Sequence, residues 1–168
     1  MRDNAKYSCN IRKTIPSDVD MIMLWENDPN LWEVTEDKGP FSRQEIEAFV
    51  NGSGELDRDG QERWMIESSE EKIVGCIDIF NYDRQNKSAG IGVVIVDVND
   101  RKKGFAYFAI AQLIEQLKLR NRVDQLHCII HPSNTSSIAL FSKLGFIPNG
   151  ESSFNGNKVL NYFHTLAP

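Results

Sequence analysis

No stretch of this sequence is apolar for the roughly 20 residues a membrane-spanning helix needs. The opening MRDNAKYSCN has no hydrophobic centre of the kind that marks a secretory leader. A cytoplasmic location is therefore expected. Basic residues are also in short supply: 19 Lys and Arg face 24 Asp and Glu, a formal charge of -5. That balance disfavours nucleic acid and anionic lipid as partners, since both select for a basic surface, and favours a neutral or cationic substrate. Cysteine is scarce. Cys9, Cys76 and Cys128 are odd in number, far apart and set in apolar strand-like runs, so neither a disulfide framework nor a metal knuckle is expected. His127, Cys128 and His131 lie close in sequence. In an extended segment neighbours point to opposite faces, however, and no second ligand pair follows, so no metal is expected.

What the sequence does have is the makeup of one ordinary domain: 168 residues, 40% apolar and 26% charged. A single domain over 1–168 is the working expectation. Cys9 to Ile15 reads as a strand. Pro16, Ser17 and Asp20 then give a helix start through a Ser-x-x-Asp pattern, with the helix running to about Glu26. Asn27, Asp28 and Pro29 break it. A loop leads to Ser42, whose spacing to Glu45 repeats the capping signature before a short helix that ends near Asn51-Gly52.

From Glu62 the period changes to that of strands. Arg63–Glu67, Lys72–Tyr82 and Ser88–Val96, separated by polar turns, read as an antiparallel meander. Phe105, Phe108, Ala109, Ala111, Leu113, Ile114 and Leu117 then recur at helical spacing within Gly104–Arg120. A buried strand, Leu126–Ile130, and a helix, Thr135–Leu144, follow. Two strand-like runs, Phe146–Phe154 and Lys158–Thr165, flank Asn155-Gly156, a strong hairpin signal. The order predicts an α+β fold: a mixed, mostly antiparallel central sheet of about seven strands with about four helices on its faces.

The most informative stretch runs from Val93 to Ala106. A strand feeds a basic, glycine-bearing turn, Arg101-Lys102-Lys103-Gly104, into a helix at Phe105. Backbone N–H groups and the positive end of the helix dipole then point to one place, which suits a diphosphate. Gly104 lets the backbone approach without a Cβ in the way. A Gly-x-x-x-x-Gly-Lys-Ser/Thr motif is missing, which argues against a nucleotide-hydrolysing loop. A basic helix start with one glycine is also an ordinary solvated turn.

The run Arg-x-x-Gly-x-Ala at 101–106 resembles the pyrophosphate motif of the GNAT acetyltransferases, and Asn134 to Phe146 (NTSSIALFSKLGF) is similar to a second stretch of that family. The likeness extends toward the spermidine and ribosomal-protein N-terminal acetyltransferases, whose last strands carry a similar Asn-Gly turn. The resemblance implies the GNAT fold and acetyl-CoA as cosubstrate, with transfer to a primary amine by direct attack in a ternary complex. By resemblance, Val94, Ile95 and Val96 would lend backbone groups to the pantetheine arm. Arg101, Lys102, Lys103, Gly104, Phe105 and Ala106 would cradle the pyrophosphate, and Asn134 would hold the arm near the thiol. Phe141 stands where many relatives carry a Tyr that protonates the thiolate, and Gly90 lies near the position of a catalytic Glu in some. Asp78, His131 and Tyr107 are the neighbouring candidates for acid and base, against bland readings of Asp78 as a solvent-facing strand residue and His131 as a loop histidine.

The acceptor is expected to meet the early helices and the loop between them, which hold Trp25, Glu26, Asp28, Trp32, Glu33, Glu36 and Asp37. Trp32 and Glu33 are the substrate candidates, because carboxylates beside aromatic faces suit a cationic amine such as a polyamine. The same residues could instead solvate and anchor a loop. Three readings stay open: a small-molecule amine acetyltransferase, a protein N-terminal acetyltransferase acting on a peptide N-terminus, and a non-catalytic CoA-binding module. Many relatives dimerise, and a homodimer is an expectation the sequence leaves unfixed.

Overall fold

The structure is a computed structural model that describes residues 8–31 and 39–166. Among these residues seven strands form one sheet in the order β1-β2-β3-β4-β5-β7-β6. They are β1 (Cys9–Lys13), β2 (Glu62–Ser68), β3 (Ile73–Asp83), β4 (Ser88–Ile95), β5 (Gln125–Ile130), β6 (Ile147–Phe154) and β7 (Asn157–Thr165). Among the described residues only β4 and β5 pair in parallel; every other neighbour is antiparallel. Among the described residues the helices are α1 (Val19–Glu26), α2 (Arg43–Gly52), the single turn α3 (Leu56–Asp59), α4 (Phe105–Arg120) and α5 (Thr135–Lys143); Pro16–Asp18 and Val98–Asp100 form 3-10 turns, and residues 29–31 are helical where a loop was expected. The expected α+β sheet and its four longer helices are thus present. The short α3 is an addition that four residues of sequence could not announce.

Helix starts follow local chemistry, with one correction. At α2 the expected capping box forms: the Glu45 N–H donates to Ser42 Oγ, and the Ser42 N–H donates to Glu45 Oε2 at 2.7 Å. At the first helix Ser17 does not cap. Asp18 turns back instead, accepting from the Ile15 N–H at 2.9 Å and from both terminal nitrogens of Arg12. Burial alone would raise the Asp18 carboxyl, but the bonds from Arg12 and Ile15 together outweigh it and hold its pKa below the ordinary carboxylate value.

The sheet separates two apolar clusters. Ile77 and Ile79 of β3, Ala89 and Ile91 of β4, and Leu126 of β5 pack against Ala109, Ile110 and Leu113 of α4. On the opposite face Met65, Cys76 and Val94 meet Val19 and Ile22 of α1 and Ile46 and Val50 of α2. Cys9, Cys76 and Cys128 are all buried and free. Burial pushes their thiols to about 11, about 12 and about 12 respectively. Asn155 and Gly156 both take positive φ, 48° and 79°, as a two-residue hairpin turn requires.

Candidate functional site

The seam between β4 and β5 is the feature that organises the site. The two strands pair only at Ser88–Gln125, Ala89–Leu126 and Gly90–His127, although β4 runs on to Ile95 and β5 to Ile130. Beyond Gly90 they part. A cleft of about 1260 Å³ opens there, bounded by α1 and α2 on one side and by β5, α5 and the last hairpin on the other. No helix among the described residues is long and apolar enough to cross a membrane, and no group of three or more His, Cys, Asp or Glu among them is arranged to hold a metal ion.

The pleat decides which backbone groups face the gap. The Val96 N–H donates to the Val74 carbonyl at 3.0 Å, so Val96, and two residues earlier Val94, turn their backbone groups toward β3. Val93 and Ile95 turn theirs toward the gap. Of the expected trio Val94, Ile95 and Val96, only Ile95 therefore presents backbone to the open side, with Val93 beside it. The side chain of Val94 instead lines the cleft.

At the far end of β4 the turn 101–106 leads into α4. Gly104 has φ 93° and Lys102 has φ 61°, which curls the chain into the first turn of α4. The basic run is less free than its composition suggests. Arg101 Nε donates to the Ile95 carbonyl at 3.0 Å and braces the turn. Lys103 and Lys72 both bind Asp100, at 2.9 and 2.6 Å, and hold its carboxyl below the ordinary range. Lys102 is exposed and makes no side-chain bond among the described residues. Phe105 is buried, and its carbonyl accepts from Cys9 Sγ, so a contact to a ligand there falls to the backbone of Phe105 and Ala106.

Across the cleft, Asn134 caps α5 by accepting from the Ser137 N–H, and its amide nitrogen is left to donate elsewhere. His131 sits just before it; its Nδ1 accepts from the Ser133 N–H and lies 2.7 Å from Ser133 Oγ. Phe141 lines the cleft but is only 4% exposed, its ring edge-on to Phe146 at 5.0 Å. Tyr107 is drawn away: it packs on Phe108, with Lys143 Nζ over its ring.

The cleft wall also holds an ion cluster. Arg63, 6% exposed, donates to both carboxylate oxygens of Asp78 at 2.6 and 2.7 Å and to Glu26 at 2.5 Å, with the Phe49 ring 4.5 Å from its guanidinium carbon. Burial would lower the guanidinium pKa, yet the surrounding anions raise it well above its ordinary value. Asp78 is accordingly an ion-pair partner in the cleft and not a solvent-facing strand residue. Trp25 and Glu26 reach the same cleft. Trp32, Glu33, Glu36 and Asp37 lie outside the described residues. Sequence reasoning missed Arg63, Phe80 and His127. Their signals needed strand register, apart from the alternate glycines 90 and 92, which leave one face of β4 bare.

The family model described as Acetyltransferase (GNAT) domain matches residues 9–147. The chain belongs to the GNAT acetyltransferase family. A spermine/spermidine N(1)-acetyltransferase of Bacillus subtilis (strain 168) is 30% identical over 81 residues, 47% of this chain and 53% of that protein. The chain spans about half the length of the curated relatives it matches. Among solved GNAT structures, the spermidine N-acetyltransferase from Vibrio cholerae in complex with CoA and spermine superposes with a TM-score of 0.81 at 18% identity, covering 94% of this chain and 95% of that one. The ribosomal L7/L12 alpha-N-protein acetyltransferase RimL in complex with coenzyme A gives 0.77 at 17% identity, with 94% of each chain covered.

Proposed function

We propose that this protein transfers the acetyl group of acetyl-CoA to a primary amine of a small cationic acceptor of the polyamine kind. The observation that carries the reading is the unpaired run of β4, which leads from the turn at 101–106 into a cleft whose wall holds two carboxylates around one guanidinium. The residues fit the cosubstrate: the gap-facing backbone of Val93 and the N–H of Ile95, whose carbonyl is taken by Arg101, suit an arm lying as an added strand, and the turn with the start of α4 suits a diphosphate. When bound, acetyl-CoA supplies the acetyl group already activated as a thioester. In this reading Arg101, Lys102, Gly104, Phe105 and Ala106 hold the diphosphate, Lys103 acts mainly by fixing the turn through Asp100, and Asn134 donates to the arm. Phe141 bounds the cleft beside it as an apolar wall, with no proton to give.

Glu26, Arg63 and Asp78 carry a net charge of one negative at neutral pH, beside the aromatic faces of Trp25, Phe41 and Phe49. Such a wall attracts an ammonium and turns away a carboxylate. Trp32 and Glu33 stay in this reading as acceptor contacts. Asp78, bound at both oxygens, serves better as a fixed charge than as a base. His131 lines the cleft with its Nδ1 engaged by Ser133.

A second reading, acetylation of a peptide N-terminus, is favoured by the reach of the cleft to Phe154 and Val159 on the last hairpin. Thiol release from acetyl-CoA with spermine, spermidine, aminoglycosides, amino acids and short peptides separates the two. Turnover with the polyamines and silence with the peptides is expected; the reverse selects the second reading. Binding of acetyl-CoA without turnover on any amine would leave a CoA-binding module. Arg101→Ala is expected to weaken acetyl-CoA about tenfold, the loss of one charge-assisted contact, with little change in melting temperature. Unchanged affinity by calorimetry would remove Arg101 from the site.

A further inference from the structure

An ammonium ion has no lone pair, so a polyamine-like acceptor must lose a proton inside the cleft before it can attack. The lining groups able to take that proton are largely committed. Asp78 and Glu26 bind Arg63, Glu45 closes the cap on Ser42, and Glu62 is buried in ion pairs with Lys13 and Arg120. His131 receives the Ser133 N–H at Nδ1, with Ser133 Oγ 2.7 Å from the same nitrogen, so that nitrogen is already engaged.

His127 differs from all of these. Leu126, Cys128 and Ile130 of β5 point into the α4 core, so the alternation turns His127 to the cleft face. It makes no hydrogen bond, ion pair or ring contact among the described residues. Its partner across the parallel ladder is Gly90, the last pair before the strands separate. Gly90 offers no side chain. The ring of Phe80 covers it so closely that a Cβ built there would fall 2.4 Å from the ring. From that apex the free edge of β4 runs five residues, Ile91 to Ile95, about 17 Å at about 3.3 Å per residue. An arm anchored at the turn 101–106 and laid along this edge ends beside His127.

We propose that His127 is the proton acceptor for the incoming amine, an inference that rests on the acetyltransferase reading above. An N–H bond of the ammonium breaks, its electron pair stays on nitrogen, and the proton goes to the imidazole, directly or through one water. The resulting imidazolium returns the proton to solvent. The surroundings suit this role, because desolvation holds the His127 imidazole below its ordinary pKa and so neutral at pH 7. Glu26, Glu45, Glu62, Arg63 and Asp78 are the charged groups lining the same cleft, with His131 at the end of β5. The flanking strands set only Gly90 and Phe163 opposite it.

The test is the pH dependence of kcat/KM with acetyl-CoA and spermine, for the wild type and His127→Gln. The wild-type rate should rise with pH through the acid limb of His127, below about 6.5. The variant should lose about a hundredfold or more, lose that limb, and keep its affinity for CoA. Free imidazole should restore part of the rate to His127→Ala. A readout independent of turnover is ring NMR of the three histidines. The signal missing from His127→Gln should titrate below the ordinary range and shift when spermine is added to the CoA-loaded protein. A variant that keeps the rate and the acid limb while the wild type is active overturns the assignment to His127 and leaves the acetyltransferase reading standing. A wild type that acetylates no amine, with a His127 signal unmoved by spermine, overturns both.

Discussion

Along β3 and β4 the chain alternates between two faces built to different standards. On the α4 side Ile77, Ile79, Ala89 and Ile91 are almost fully enclosed and packed in one cluster with α4 residues. One residue further along, on the other side, stand Asp78, Phe80, Gly90 and Gly92: an ion-pair partner, a partly exposed ring and two positions with no side chain. The same hydrogen-bonded ladder serves both. The difference teaches that the pleat lets one pair of strands put its stability on one side and its chemistry on the other. Neither face has to compromise for its neighbour.

Damage to the closed face should cost most. Ile77→Ala is expected to lose about 2–5 kcal/mol in denaturant unfolding, because the residue has no exposure and no room to collapse. The folded fraction should bind acetyl-CoA as before; lost affinity at intact stability would mean that the faces are coupled. A smaller effect is expected on the open face. Gly90→Ala drives a methyl group into the Phe80 ring and should cost about 1–3 kcal/mol, part of which Gly90→Ala with Phe80→Ala should recover. No recovery in the double variant would show that the ring is not the obstacle. The smallest effect belongs to acid. Asp100 is held below its ordinary pKa, so its contribution is complete above pH 4 and is lost as pH falls through the depressed value. A melting-temperature series from pH 6 to pH 2.5 should fall slightly less steeply in Asp100→Asn than in the wild type, and equal slopes would remove Asp100 from the turn's stability.

Legibility in the sequence followed the range of the interaction. The amphipathic run of α4, the Ser42–Glu45 box and the Asn155-Gly156 turn depend on residues within about four positions of one another, and each is where its local pattern put it. The turn at 101–106 was legible for the same reason. Arg63 and Asp78 are 15 residues apart and meet only because β2 and β3 pair in one register. The neutralisation of Lys103 needed Asp100 to bury itself between two lysines, one of them Lys72 just before β3. The choice of Val93 and Ile95 over Val94 and Val96 at the gap depended on a single backbone bond to Val74, invisible to any pattern of side chains. Tertiary pairing decided the fine structure of the site, and local chemistry decided where to look for it.

The three enclosed thiols make the folded protein silent toward thiol-specific dyes, since none of Cys9, Cys76 or Cys128 offers an accessible thiolate at neutral pH. A colour change in a coupled assay at ambient temperature therefore counts product alone. On heating, the same dye counts molecules that have opened, three equivalents for each. One reagent thus reports turnover and loss of the native state from a single cuvette.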